Sequence, residues 1–172
     1  MDFITLAGTR YSVRKYQDRK VPPETVEKIS EAGRIAPTAV NYQPQRILVI
    51  QRKEDLEQLD QCTRFRYGAP MAFLICYDRS VCWNNPHTGE DSGKIDVSII
   101  LTHMMLEAAE LGVGTVCVAD FDPEGIRDRF HLPEDIIPVL LMPAGYPAED
   151  ARPHTWHEEK KPLAETVFWD HF

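Results

Sequence analysis

The chain has 172 residues, 43% hydrophobic and 27% charged, which is the balance of one globular domain with a sizeable core spanning residues 1–172. A formal net charge of −8 argues against nucleic-acid binding through the overall field. No window approaches the roughly 20 apolar residues of a membrane span, and the opening Met-Asp-Phe leads into no basic-then-apolar run, so neither a membrane partner nor a signal peptide is expected.

Residues 2–8 read as a short helix able to turn Phe3, Ile4 and Leu6 inward, and the polar, basic stretch 9–21 reads as a loop. Pro22 and Pro23 suit a first helical turn, where an N–H would lack a partner anyway. Val26, Ile29 and Gly33 then share one face at spacings of three and four. Pro37 ends this helix, because the residue before proline avoids helical geometry. Residues 38–45 are turn-like, 46–50 form a buried strand, 53–62 a small helix and 71–77 a second apolar strand. Residues 79–94, with Asn84-Asn85-Pro86 and two glycines, read as a long loop of the kind that often carries function.

The strongest helix signal covers 96–111, where Val97, Ile100, Leu101, Met104, Met105, Ala108 and their neighbours spread apolar surface around nearly the whole circumference. Such a helix must be buried on all sides. It is either the central helix of a monomer or is covered on one side by a partner subunit, and the shortness of the chain favours the partner. His103 on it reads as a satisfied core or interface histidine. Gly112 and Gly114 break the helix, 115–118 is a strand, and Asp122-Pro123 caps and opens a helix reaching Phe130. Residues 137–142 form the last core strand. The tail carries Leu163, Val167, Phe168 and Trp169, which need a covering surface. Of the four cysteines, Cys76 and Cys117 lie in apolar runs and read as buried thiols; without a CxxC pair, a reducing cytoplasm is the expected setting.

Several motifs are absent. Gly112-Val113-Gly114 lacks the third glycine of a dinucleotide fingerprint, Gly93-Lys94 is followed by isoleucine and makes no phosphate loop, and no nucleophile elbow occurs. Cys82 and His87 have no second ligand pair at metal spacing, so no metal is expected. The first twenty residues are the exception to the acidity: Arg10, Arg14, Lys15, Arg19 and Lys20 stand against only Asp2 and Asp18. The excess fits either a site for a small anion or a solvated turn. Within it, Arg10-Tyr11-Ser12-Val13-Arg14 sets two arginines four apart with a hydroxyl between, a donor set suited to a phosphate monoester.

This motif is joined by Ala36-Pro37-Thr38-Ala39-Val40-Asn41-Tyr42-Gln43-Pro44, and then by Tyr67-Gly68-Ala69-Pro70, Leu111-Gly112-Val113-Gly114-Thr115, Phe121-Asp122-Pro123, Gly145-Tyr146-Pro147 and Lys160-Lys161-Pro162-Leu163. In this order, and over nearly the whole chain, they resemble the nitroreductase superfamily. The resemblance implies an α+β fold with a central, mostly antiparallel sheet flanked by helices, an entwined homodimer, and FMN bound between subunits. Arg10, Ser12 and Arg14 would hold the phosphate and ribityl chain, with Tyr11 contributing backbone. Pro37, Thr38, Ala39, Asn41 and Gln43 would come from the other subunit to the flavin ring. The strand end Cys117, Val118, Ala119 and Asp120 would pack beside the redox centre, and Lys160 or Lys161 would meet the phosphate. NADH or NADPH would be the electron donor, and a small electron-poor molecule such as a nitroaromatic or quinone the acceptor. Gln45 stands where many members have tryptophan, and Ala119-Asp120 where many have glycine. Two other readings share these residues: a flavin carrier without catalysis, and a cofactor-free interface protein in which Arg10 and Arg14 form salt bridges.

Overall fold

The computed structural model describes residues 2–172. Its elements follow as α1 (Phe3–Thr9), α2 (Pro23–Ile35), β1 (Gln45–Ile50), α3 (Lys53–Leu59), β2 (Met71–Asp78), α4 (Gly93–Glu110), β3 (Gly114–Thr115), α5 (Pro123–Phe130) and β4 (Ile136–Gly145). The strands form one sheet in the order β1-β2-β4-β3, with every neighbouring pair antiparallel. The α+β architecture with an antiparallel sheet is the one expected.

β2 explains the layering. Residues 71–77 are apolar and buried without interruption, as a strand covered on both faces requires. Alternation sends Met71, Phe73, Ile75 and Tyr77 to one face, where they join Ile29 of α2 and Val97, Ile100, Leu101 and Met104 of α4. It sends Ala72, Leu74 and Cys76 to the other, against Leu56 and Leu59 of α3, Ile126 of α5 and Leu141 of β4. Each large side chain so buried contributes about 1.5–3 kcal/mol. The helix pair α2 and α4 approaches closely because Gly33 faces Met104; a Cβ there would lie 2.9 Å from both Cγ and Sδ.

Five local expectations are corrected. β3 stops at Thr115 instead of running to Val118. The register puts Val116 opposite Pro143; Val116 donates to the Pro143 carbonyl at 3.3 Å, but proline has no N–H to return. Pairing resumes at Val118, which exchanges both backbone hydrogen bonds with Leu141, at 2.9 and 2.8 Å. Cys117, between them, points outward and is exposed, whereas Cys62, Cys76 and Cys82 are buried. α4 begins at Gly93, before Asp96, with the Asp91 carboxylate accepting from the Gly93 N–H at 2.9 Å. The loop before it carries a helical turn at Arg79–Val81 and a bridge between Asn84 and Asp91. Finally, Phe3 and Ile4 do not turn inward but are exposed.

The chain covers only part of α4. Ile95 is 66% exposed, and Ile99 and Met105 are partly covered. His103 is half-buried, with Nδ1 2.9 Å from the Ile99 carbonyl, which agrees with the satisfied histidine expected. Beyond Ala151 the tail leaves Trp156, Leu163, Phe168 and Trp169 exposed.

Candidate functional site

Residues 10–14 leave α1 and run beside β3. Ser12 forms a parallel bridge with Thr115, and the Val13 N–H donates to the Thr115 carbonyl at 3.0 Å. Val13 is buried against Gly114, where a Cβ would come within 2.6 Å of Val13 Cγ2. This contact fixes the segment, and with Val13 inward, Arg14 is left exposed and Ser12 half-buried.

Arg34, Arg46, Arg52 and Arg66 each meet a carboxylate within 3 Å. Lys15 pairs with Asp150 at 2.6 Å, and Arg19 lies 4.0 Å over the Tyr146 ring. Among the described residues no carboxylate pairs with Arg10 or Arg14. Arg14 donates to the Ser12 carbonyl at 3.3 Å and lies 5.9 Å from the Tyr67 ring centre. The tail comes to the same place: the His157 ring meets Tyr11 edge-on at 6.3 Å, and Lys160 Nζ donates to the His157 carbonyl. Lys161 is exposed on the same stretch.

Residues 38–43 form a tight turn with three left-handed residues, Val40 (φ 53°), Asn41 (φ 55°) and Gln43 (φ 52°). For a β-branched residue such as Val40 this is a true outlier, and strain of this kind gathers at functional sites. The Thr38 hydroxyl accepts from the Gln43 N–H at 3.0 Å, and the Thr38 carbonyl from the Asn41 N–H at 3.0 Å. The side chains of Asn41 and Gln43 are exposed, as is Pro37, while Thr38 and Ala39 are half-buried.

At the far end of residues 115–120, Cys117, Ala119 and Asp120 are exposed and Val118 is buried. The buried Thr63 hydroxyl donates to the Asp120 carbonyl at 2.7 Å. The Ala39 N–H donates to buried Asp96 at 2.8 Å. Neither Thr63 nor Asp96 stood out in the sequence. The one signal was a carboxylate at the head of an otherwise apolar helix.

The predicted residues fall into two groups. Arg10, Tyr11, Ser12 and Arg14 gather with the 117–120 strand end and the Lys160 turn. Arg10 and Tyr11 line a cleft of about 370 Å3 with Ala109, Glu110 and Gly112, at the C-terminal end of α4. The 38–43 loop is tied to Asp96 at the other end of that helix. At about 1.5 Å per residue, Asp96 and Ala109 lie about 20 Å apart along the axis. No strong internal nucleophile competes. Burial pushes the Cys76 thiol up to about 12 and the Cys82 thiol up to about 11, so both stay protonated at neutral pH. Among the described residues there is no metal-binding group of His, Cys, Asp or Glu, and no helix is long and apolar enough to cross a membrane.

Comparison with known proteins adds an independent result. The sequence pattern of the Nitroreductase family matches residues 7–64 and 61–146. A protein of Methanothermobacter thermautotrophicus, named as an NADH dehydrogenase/NAD(P)H nitroreductase, is 35% identical over 164 residues, covering 87% of this chain and 80% of its own. One of Archaeoglobus fulgidus, with the same name, is 30% identical over 154 residues, covering 86% of each. The crystal structure of a nitroreductase family protein from Clostridium difficile superposes over the full length of both chains, with a TM-score of 0.94 and 42% identity. With its fold, its motifs and these relatives in agreement, the chain belongs to the nitroreductase family.

Proposed function

We propose that this protein is an FMN-dependent oxidoreductase that passes hydride from NADH or NADPH to an electron-poor acceptor such as a nitroaromatic or a quinone, working as a homodimer. The observation that carries the reading is the unneutralised pair Arg10 and Arg14 around Ser12 on a rigid backbone segment. A phosphate monoester fits these donors. The names of relatives support the choice of electron donor, and one solved protein of the same fold, from Clostridium difficile, is described as an FMN-dependent nitroreductase.

The residues present fit FMN. Arg10, Arg14 and Ser12 would take the phosphate and ribityl chain, with the Lys160 or Lys161 turn beside them. Asn41 and Gln43 can donate to ring carbonyls and accept from the ring imide. When bound, FMN supplies two-electron hydride chemistry, so the chain needs no nucleophile or metal of its own. The backbone at 117–120, held by Thr63, would lie beside the ring. Donor and acceptor would then take turns on the face left open.

The homodimer follows from the separation of the two groups. A loop about 20 Å along α4 from the phosphate donors is poorly placed to share one flavin with them in a single chain. A second copy, packed two-fold on the open face of α4, would bring its loop to the first copy's arginines. The exposed Ile95 and the apolar tail support such a contact. The test is the absorbance spectrum of the purified protein, followed by anaerobic addition of each nicotinamide. A flavin spectrum that bleaches is expected. Bound flavin that neither nicotinamide reduces would point to a carrier, and no flavin uptake would refute the proposal.

A further inference from the structure

Asp96 is 1% exposed, and no basic side chain pairs with it among the described residues. A carboxylate buried without a counter-ion survives only if other groups compensate it. Here Oδ1 accepts from the Ala39 N–H at 2.8 Å and Oδ2 from the Ser92 hydroxyl at 2.7 Å, in the first turn of α4, where the helix dipole favours negative charge. The bond to Ser92 is local, four positions away. The bond to Ala39 reaches 57 positions back along the chain and grips the residue directly before the left-handed Val40 and Asn41. At the loop's other end, Thr38 holds the Gln43 N–H. Two grips keep Val40, Asn41 and Gln43 in a conformation that such residues rarely adopt.

We propose that Asp96, acting through the Ala39 amide, is the positioning residue that holds loop 38–43 in the shape that presents the Asn41 and Gln43 amides to the flavin ring. The inference rests on the flavin reading above. Asp96 touches no ligand; its effect is exerted through the loop.

The test is a double-mutant cycle on riboflavin, which lacks the phosphate and so reports ring contacts. It uses Asp96→Ala, Asp96→Asn, Gln43→Leu and the Asp96→Ala/Gln43→Leu pair in the full chain, with amide hydrogen exchange on each protein without ligand. Asp96→Ala should weaken riboflavin binding about tenfold or more. It should speed exchange at Ala39, Asn41, Tyr42 and Gln43 while residues 71–77 stay protected. In the Gln43→Leu background it should cause a clearly smaller further loss, because one of the two ring contacts it positions is already gone. Asp96→Asn keeps an oxygen for the Ala39 amide and should recover most of both effects. Additive losses in the cycle overturn the proposal, as does lost protection spreading to residues 71–77 in both Asp96 variants, since Asp96 would then serve the fold at large. Failure of the wild type to bind either riboflavin or FMN would refute the flavin reading instead, and with it the role toward the ring, while the exchange pattern still decides whether Asp96 grips the loop.

Discussion

Arg10→Ala removes a guanidinium that pairs with no carboxylate in the folded chain. Nothing charged is orphaned by its loss, so stability should change by no more than about 0.5 kcal/mol, the range of ordinary surface substitutions. In a domain of this size that is a shift of about 2 °C in Tm. The effect on a bound phosphate should be much larger. A hydrogen bond to a charged group contributes about 1.5–3 kcal/mol, and at about 1.4 kcal/mol per decade this is roughly a ten- to hundredfold rise in Kd for FMN. Riboflavin has the same ring and no phosphate, so its Kd should stay within about a factor of two to three of wild type. The assay is a titration of apoprotein with each ligand, followed by flavin fluorescence, beside thermal melts of both proteins. Added salt should weaken FMN binding to wild type more than to the variant, because one screened attraction has been removed. Equal losses for FMN and riboflavin, or a large fall in Tm, would refute the phosphate role and show that Arg10 acts through folding.

Other predictions follow from the same geometry. Gln43→Leu keeps approximate bulk but removes both amide groups; stopped-flow anaerobic bleaching at saturating FMN should show slower reduction by nicotinamide or a lowered flavin potential, and an unchanged rate and potential would make Gln43 scaffolding. Wild type should sediment as a dimer at low micromolar concentration, and Ile95→Glu, which charges the exposed face of α4, should shift it toward monomer and lower flavin affinity with it; a persistent dimer would exclude this face as the contact. Gly114→Ala brings a Cβ within 2.6 Å of Val13 Cγ2 and should destabilise the fold by about 1–3 kcal/mol in urea unfolding; an unchanged midpoint would mean that the 10–14 segment is not held tightly against β3. A thiol reagent should modify Cys117 in the native protein and the other cysteines only on unfolding, since Cys117 is exposed and Cys62, Cys76 and Cys82 are buried. FMN should protect Cys117, and labelling undiminished by FMN would remove the 117–120 strand end from the site.

The sequence by itself determined those elements whose cause is local. The unbroken apolar run of β2, the proline-opened α2 and the Asp122-Pro123 start of α5 carry their own signals in spacing, burial pattern and capping, and each stands where the residues indicated. The candidate anion site was legible in the same way, as two arginines around a serine in an acidic chain. What the sequence could not contain is whether those arginines were already neutralised, because that depends on which carboxylates the fold brings near. Only the tertiary structure left Arg10 and Arg14 unpaired while it paired Lys15 with Asp150. The missed features share this origin. β3 ends early because Pro143, on another strand, lacks the N–H that Val116 would need. Thr63 and Asp96 matter through backbone partners 57 positions away, Asp120 and Ala39. A hydrogen bond across that distance in the chain leaves no periodicity in either segment. It exists only once hydrophobic burial has folded the sheet and helices together and left each polar group to find its partner.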